Sequence, residues 1–403
     1  MSRLNSAVIG LQWGDEGKGK VVTYLSRDYD CVVRYSGGSN AGHTVDYGPF
    51  KLVHHLVPSA DARLKKGMYI ACGVAVDLKV LLEEIEQLES FFPQGSEFLR
   101  VSKQAHVVVP FYRELDGKID SARSEPVGTT RRGIGLCYAN RALRFGLRLE
   151  DFEDEELLER KLRELARVWN LQIDTKSVLK ELIESHRRIS HLLIDSVEAF
   201  EDLKGKNLLF EGTQGVLLDV DVGTYPYVTS TNCSSTGVQA GFGFPVRLDK
   251  IIGVMKAYTT RVGEGPFPTE LKGEEGERIR KLGREYGATT GRPRRCGWLD
   301  FVLLRYAVKV SGCNEVILTK ADVLNGFEKL AVCVAYEIDG VRVRDVKNLR
   351  NIHKAVPVYE EIQGWTDLES PSFERFVKRI EQELGVRISH VSTGSRIDDM
   401  IAL

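Results

Sequence analysis

The sequence predicts an α/β fold, a large, mainly parallel central sheet flanked by helices, with a helical lobe attached. Two observations predict it. Short apolar runs recur along the chain, each closing on a loop rich in glycine, hydroxyl and charged residues, and the carboxyl ends of parallel strands are where such sheets bind ligands. Other segments place leucines at helical spacing, as helices packed on a sheet require. No internal repeat or low-complexity linker interrupts the 403 residues, so 1–403 is expected to form a single domain.

Taken in order, Ala7-Val8-Ile9-Gly10 is a buried strand that breaks into Trp13-Gly14-Asp15-Glu16-Gly17-Lys18-Gly19-Lys20, followed by the helix-competent Val21, Val22, Tyr24 and Leu25. Cys31 to Tyr35 is a second strand, ending in the loop Gly37 to His43. Asp77 to Ser90 carries Leu78, Leu81, Leu82, Ile85 and Leu88 on one helical face, with Asp77 as N-cap. From Asp151 to Lys206 charges dominate and proline is missing, so 151–206 is expected to form two or three amphipathic helices outside the sheet. Leu208-Leu209-Phe210 returns to a strand, closed by Glu211-Gly212-Thr213-Gln214-Gly215. Three further runs repeat the pattern: Ile251 to Ala257 into Thr260–Pro266, Glu315 to Leu318 into Thr319–Asp322, and Val386 to Val391 into Ser392–Gly394.

Composition narrows the function. Hydrophobic content of 42% and charged content of 28% describe an ordinary soluble enzyme. A net charge of −1 supplies no global field for nucleic acid or for a membrane surface, so neither is expected as a partner. Seven scattered cysteines, odd in number and without a C-x-x-C pair, argue for reduced thiols. No apolar stretch reaches the roughly 18 residues that span a bilayer, and Met1 to Asn5 run into a strand without a signal peptide. A cytoplasmic location is expected.

Five constellations carry chemistry. Gly14 to Lys20 matches the phosphate-loop pattern of glycine, four residues, Gly-Lys, which makes the fold P-loop NTPase-like. Val21 stands where that pattern has a magnesium-binding hydroxyl. An acid within a polyanion site is repulsive unless it binds a metal or moves a proton, so Asp15 is the candidate for both. In Gly37-Gly38-Ser39-Asn40-Ala41-Gly42-His43-Thr44, His43 can donate to charge developing on a phosphate oxygen. Asn40 can read a base or sugar there, and a glycine carbonyl can ligate a metal.

Thr319-Lys320-Ala321-Asp322 resembles the N/T-K-x-D guanine signature: a carboxylate accepts both N1–H and the 2-amino group, and Ser392-Thr393-Gly394 supplies another wall. The loop Ala288-Thr289-Thr290-Gly291-Arg292-Pro293-Arg294-Arg295 offers arginine forks for a small dicarboxylate and a phosphate edge. The bland alternative is a solvated cationic turn. Gly128-Thr129-Thr130-Arg131-Arg132-Gly133-Ile134-Gly135, with Arg144 beyond, suits a second phosphate. Gln214 and Thr229 are candidates for a base edge, or for ordinary turn chemistry.

Together these motifs resemble the adenylosuccinate synthetase family. W-G-D-E-G-K-G-K, G-G-x-N-A-G-H-T, F-E-G-x-Q-G, D-x-G-T-Y-P-Y-V-T-S, T-R-V-G-x-G-P-F-P-T-E and G-A-T-T-G-R follow in family order from about residue 6 to 396. The resemblance implies a ligase that joins inosine monophosphate (IMP) to L-aspartate with GTP cleavage, through a 6-phosphoryl intermediate. It implies Asp15 as base and His43 as acid. For GTP it implies Gly14, Asp15, Glu16, Gly17, Lys18, Gly19, Lys20, Arg294, Lys320, Ala321, Asp322, Ser392, Thr393 and Gly394.

For IMP it implies Asp15, Lys18, Asn40, Ala41, Gly42, His43, Thr130, Arg144, Gln214, Thr229 and Arg292. Aspartate falls to Ala288, Thr289, Thr290, Gly291, Arg292, Pro293 and Arg294. One Mg2+ per subunit falls to Asp15 and the Gly42 carbonyl. Arg144 is implied to reach the partner's site in a homodimer. Arg131, Ser39, Pro293 and Cys296 depart from the family pattern, and 91–125 and 340–375 look trimmed. A GTPase switch or metallochaperone of the phosphate-loop superfamily is the runner-up. It shares the loop and T-K-x-D but needs neither the arginine loop nor a second phosphate site.

Overall fold

The computed structural model describes residues 4–287 and 291–403. Its centre is a ten-stranded sheet, ordered Met400–Ala402, Arg387–Ser392, Glu315–Thr319, Lys250–Lys256, Asn5–Gly10, Leu208–Glu211, Cys31–Arg34, Gly67–Ile70, Leu99–Ser102, Leu193–Ile194. Every neighbouring pair is parallel except the first, where Met400–Ala402 returns antiparallel. Parallel strands are covered on both faces, which is why their sequences read as continuous apolar runs.

Period-two alternation divides those runs between the faces. Val8, Val32 and Leu209 enter a core shared with Val21, Val22 and the helical segments. Ala7, Val33 and Phe210 point the other way, against Tyr35, Val238 and Phe242. Register follows from the pairing of Val8 with Glu211 on one side and with Ile252 on the other. Asp77 caps the helix Leu78–Phe91, its Oδ1 accepting from the Val80 amide at 3.3 Å.

The charged stretch forms the helices Glu155–Val168, Thr175–Ile189 and Ser196–Leu203. Leu158, Leu162, Leu165, Leu182 and Ile189 bury their apolar stripe in the core that contains Val8. One expectation needs correcting. The stretch does not lie wholly outside the sheet, because Leu193–Ile194 pairs with Leu99–Ser102 and forms its edge. A smaller sheet joins Leu299–Asp300, Lys329–Ile338, Val341–Val343 and Val356–Gln363.

The consequence for function is directional. Asn5–Gly10, Cys31–Arg34, Leu208–Glu211, Lys250–Lys256, Glu315–Thr319 and Arg387–Ser392 run the same way, so the loops that follow them share one edge.

Candidate active site

At that edge the first strand breaks into the glycine–lysine loop, and the helix Lys18–Leu25 begins within it. Gly14, Asp15 and Gly17 are left-handed, with φ of 85°, 62° and 88°. For a residue with a side chain that backbone costs about 1 kcal/mol or more, so Asp15 sits where the surroundings hold it. Glu16 turns inward. Its Oε1 accepts from the amides of Gln12 at 3.1 Å and Gly14 at 2.9 Å, and its Oε2 takes the Lys18 ammonium at 2.6 Å. Both side chains are buried. The Glu16 carboxylate, expected among the GTP contacts, is therefore a brace inside the loop. Val21 is wholly buried and offers no metal ligand.

His43 is not in the preceding loop, as expected, but begins the strand His43–Asp46. It packs against the loop helix at Gly19, where an added Cβ would lie 2.7 Å from the His43 Cβ. Its Nδ1 makes a short contact with Glu211, the last residue of the strand Leu208–Glu211. Glu211 also accepts from the Ser59 amide at 2.8 Å and hydroxyl at 2.7 Å, and lies 3.1 Å from Nη1 of buried Arg34. Burial would raise its carboxyl, but Arg34 and His43 hold it down at about 2. Burial, with Arg34, lowers His43 to about 4 against the pull of Glu211. The ring is thus neutral near pH 7. Nδ1 faces both the Glu211 carboxylate, at the shorter distance, and Arg34 Nη1 at 3.1 Å, and the carboxylate contact places the ring proton on Nδ1, which leaves Nε2 for any ligand.

Lys20 departs from expectation most. Its ammonium donates to Ser392 Oγ at 2.8 Å, the Gly394 carbonyl at 2.8 Å and the Asp399 carbonyl at 2.7 Å. An ammonium has three protons, and all are taken. Lys20 is therefore directed to the last strand's loop and away from phosphate. Burial lowers it to about 8. The Thr319 hydroxyl donates to the Glu16 carbonyl at 2.7 Å, so the T-K-A-D segment is tied to the phosphate loop as well. Lys320 donates to the Gly283 carbonyl at 2.8 Å. Ala321 is buried and Asp322 half-buried, its carboxyl raised by that burial. Thr393 donates its amide to the Asp399 carbonyl at 2.9 Å. These segments do come together.

Arg294 lies over Asp15, its Nε 2.7 Å from Oδ2, while Nη1 donates to Glu285 at 2.7 Å. Expected on the carboxylates of a dicarboxylate or on GTP, it is held by two carboxylates of its own chain. Gly291, Arg292 and Pro293 are exposed. Gly287 donates to the Arg292 carbonyl at 2.8 Å, Gly291 to the Gly287 carbonyl at 2.8 Å, and Tyr286 bridges Pro293. Ala288, Thr289 and Thr290 lie outside the described residues.

On another side Asn40 Nδ2 donates to Thr229 Oγ1 at 3.4 Å. Asn40 Oδ1 and Gln214 Oε1 are buried acceptors without a protein partner, and Gln214 is left-handed at φ 48°. Buried orphans of this kind fit a ligand's donors. The Ala41 carbonyl accepts from His55 Nδ1, which helps position the Gly42 backbone. Thr130 is exposed in a loop whose amides at Val127, Gly128 and Thr129 converge on Asp120. Arg144, exposed and left-handed at φ 67° at the end of the helix Ile134–Leu143, is not part of the cluster.

Among the described residues no group of three or more His, Cys, Asp or Glu could hold a metal. Asp15, part-exposed, still fits magnesium, which takes one or two carboxylates and completes its shell with water and substrate phosphate. Among them also, no helix is long and apolar enough to cross a membrane. Glu211, Arg34, Glu285 and Lys256 escaped the sequence reading. Only Glu211 left a signal, as a carboxylate closing an apolar run.

Comparison with known proteins agrees with this fold. The family model described as adenylosuccinate synthetase matches residues 7–401. The adenylosuccinate synthetase of Pseudothermotoga lettingae is 64% identical over 400 residues, covering 99% of this chain and 100% of its own length. That of Thermotoga maritima is 53% identical over 402 residues, again covering 99% and 100%. Among solved structures, the fully ligated adenylosuccinate synthetase of Plasmodium falciparum superposes with a TM-score of 0.93 at 32% identity, covering 99% of each chain.

Proposed function

The chain belongs to the adenylosuccinate synthetase family, and from that premise we infer that it is a GTP-dependent ligase. It joins IMP to L-aspartate, giving adenylosuccinate, GDP and phosphate, the first committed step from IMP to AMP. The observation that carries this is the match over residues 7–401. A GTPase switch or metallochaperone is not favoured, since neither is a member of this family.

The chemistry divides among the chain's own residues as follows. Asp15 accepts the N1 proton of the hypoxanthine, which turns O6 into a nucleophile toward the γ-phosphorus of GTP. The ionic contact with Arg294 supports this by holding the carboxylate in place. His43 presents Nε2 to the transferring phosphoryl group, braced through Nδ1 by Glu211. Because the free ring is neutral, it becomes a donor there once polyanionic substrate draws a second proton onto it. Phosphoryl transfer makes O6 a leaving group, and the aspartate amine displaces it at C6. Asp15 and the Gly42 carbonyl would hold magnesium, which when bound neutralises phosphate charge.

Asp322 reads guanine, with Lys20 fixing the loop of Ser392, Thr393 and Gly394 beside it. The unpartnered Asn40 Oδ1 and Gln214 Oε1, with Thr229 and Thr130, take the IMP side. Arg292 and its loop take aspartate. Arg144, exposed and outside the cluster, serves the active site of a second subunit in a homodimer. Seven unpaired cysteines support a cytoplasmic location.

The test mixes the protein with magnesium, GTP, IMP and aspartate and follows the ultraviolet change of the purine. Adenylosuccinate is expected only when all three substrates are present. GTP hydrolysis without aspartate, or no adenylosuccinate, would overturn the assignment.

A further inference from the structure

Glu285 has no assigned part in the reaction, yet it is fully buried and heavily engaged. It follows directly on the helix Glu274–Gly283, which ends at left-handed Arg284 (φ 49°). Its amide donates to the Arg280 carbonyl at 2.9 Å, and its carbonyl accepts from the Arg294 amide at 2.9 Å. Its carboxylate accepts from Arg294 Nη1 at 2.7 Å, from the Tyr258 hydroxyl at 2.5 Å and from Lys256 Nζ at 3.3 Å. Backbone and side chain therefore fix the same arginine.

Followed outward, these contacts close a ring. Glu285 holds Arg294, and Arg294 Nε lies 2.7 Å from Asp15. In the other direction Glu285 meets Lys256, whose amide donates to Gln12 Oε1 at 3.0 Å, and the Gln12 amide donates to Glu16 at 3.1 Å. The ring begins and ends at adjacent residues of the phosphate loop. Lys256 alone would neutralise Glu285, so the second cation is not needed to satisfy the buried charge. What Arg294 adds is a tether to Asp15, at a left-handed position that its surroundings must hold.

We propose that Glu285 is a positioning residue for the ligase reaction, orienting Arg294 so that Arg294 orients Asp15. The proposal rests on the ligase reading above. Without the Glu285 charge, two cations face each other in a buried space, and Arg294 keeps only one of its anchors.

The test compares the full-length protein with Glu285→Gln and Glu285→Asp in the complete assay. Loss of a partner that orients a reacting group costs about 10- to 100-fold, so E285Q is expected to lower kcat by about that factor. KM for GTP should change less than kcat, because the guanine contacts lie on other strands, and E285D should restore most of kcat. A wild-type protein that makes no adenylosuccinate would refute the ligase reading itself. An active wild type with an equally active E285Q would refute this proposal alone. So would a loss that E285D fails to restore, or one matched by a rise in KM for GTP and a falling Tm, since those mark a merely structural role. If E285Q does not fold, the double variant E285Q/K256M removes both halves of the buried pair. Reduced kcat in that variant supports the proposal, and wild-type kcat overturns it.

Discussion

The Gly14–Lys20 loop and the Gly128–Gly135 segment are built from similar residues: glycines that free the backbone, and cations that attract phosphate. One is locked and the other lies open. Around the first, Glu16, Lys18, Glu211, Arg34, Glu285 and Lys256 are all buried and paired. Around the second, Thr130 and Arg131 are exposed, and the loop is shaped by two carboxylates of one neighbouring helix, Asp120 accepting from the Val127, Gly128 and Thr129 amides and Asp116 from the Gly133 amide. The difference teaches that glycine and charge make a loop competent for phosphate without making it rigid. Rigidity comes from counter-charges delivered by neighbouring strand ends, which buried pairs need for their own survival.

The contrast can be broken most sharply at Asp15. D15N should lower kcat by about 10²- to 10⁴-fold, the contribution of a positioned base. The far-ultraviolet circular dichroism should match wild type, because the side chain is part-exposed. Near-normal turnover would sink the assigned role. Next, E211Q should destabilise the fold by about 3–5 kcal/mol in urea titration, because it leaves Arg34 buried without its anion. A change below about 0.5 kcal/mol, the scale of surface substitutions, would show that the locked half is not held by its charges.

Acid should find the locked half first. His43 and His54, both beside Glu211 and Arg34, are each lowered by burial from 6.5 to about 4. Between those values the unfolded chain binds more protons, so stability is lost as pH falls from 6.5 toward 4. Tm measured against pH should decline over that window, and a Tm flat down to pH 4.5 would contradict the buried neutral rings. Lys20 works in the opposite range. Below about 8 its ammonium donates to three acceptors, and above it a neutral amine cannot. KM for GTP should therefore rise above that pH in wild type and stay flatter in K20R. The smallest effect belongs to the open half, where R131G should move KM for IMP but change stability by less than about 0.5 kcal/mol.

Much of the molecule could be read from its sequence because the signals were local. Apolar runs marked the strands, Asp77 marked its own helix, and T-K-A-D marked a strand end. The remainder depended on partners far away along the chain. Lys20 meets Ser392 across 372 residues, and His43 meets Glu211 across 168. Nothing beside Lys20 distinguishes a lysine facing phosphate from one capped by a distant loop. Glu285 looked like one more acid in a charged stretch, because its burial is decided by the strand that carries Lys256. Local chemistry therefore named the loops, while long-range pairing decided which side chains remained available.

The position of Asn5–Gly10 has a consequence for how the protein is made. It leaves the ribosome before the other nine strands of its sheet, yet it lies between Leu208–Glu211 and Lys250–Lys256. At about 5–20 residues per second, roughly 10–50 s of synthesis separate that strand from its second neighbour. Until Leu208–Glu211 emerges, this strand, whose Ala7, Val8 and Ile9 are wholly buried in the finished sheet, has both hydrogen-bonding edges open. This central strand is thus the one in its sheet that waits longest for a first partner, and the phosphate loop that follows it is completed late, by contacts from Lys256, Arg294 and Ser392.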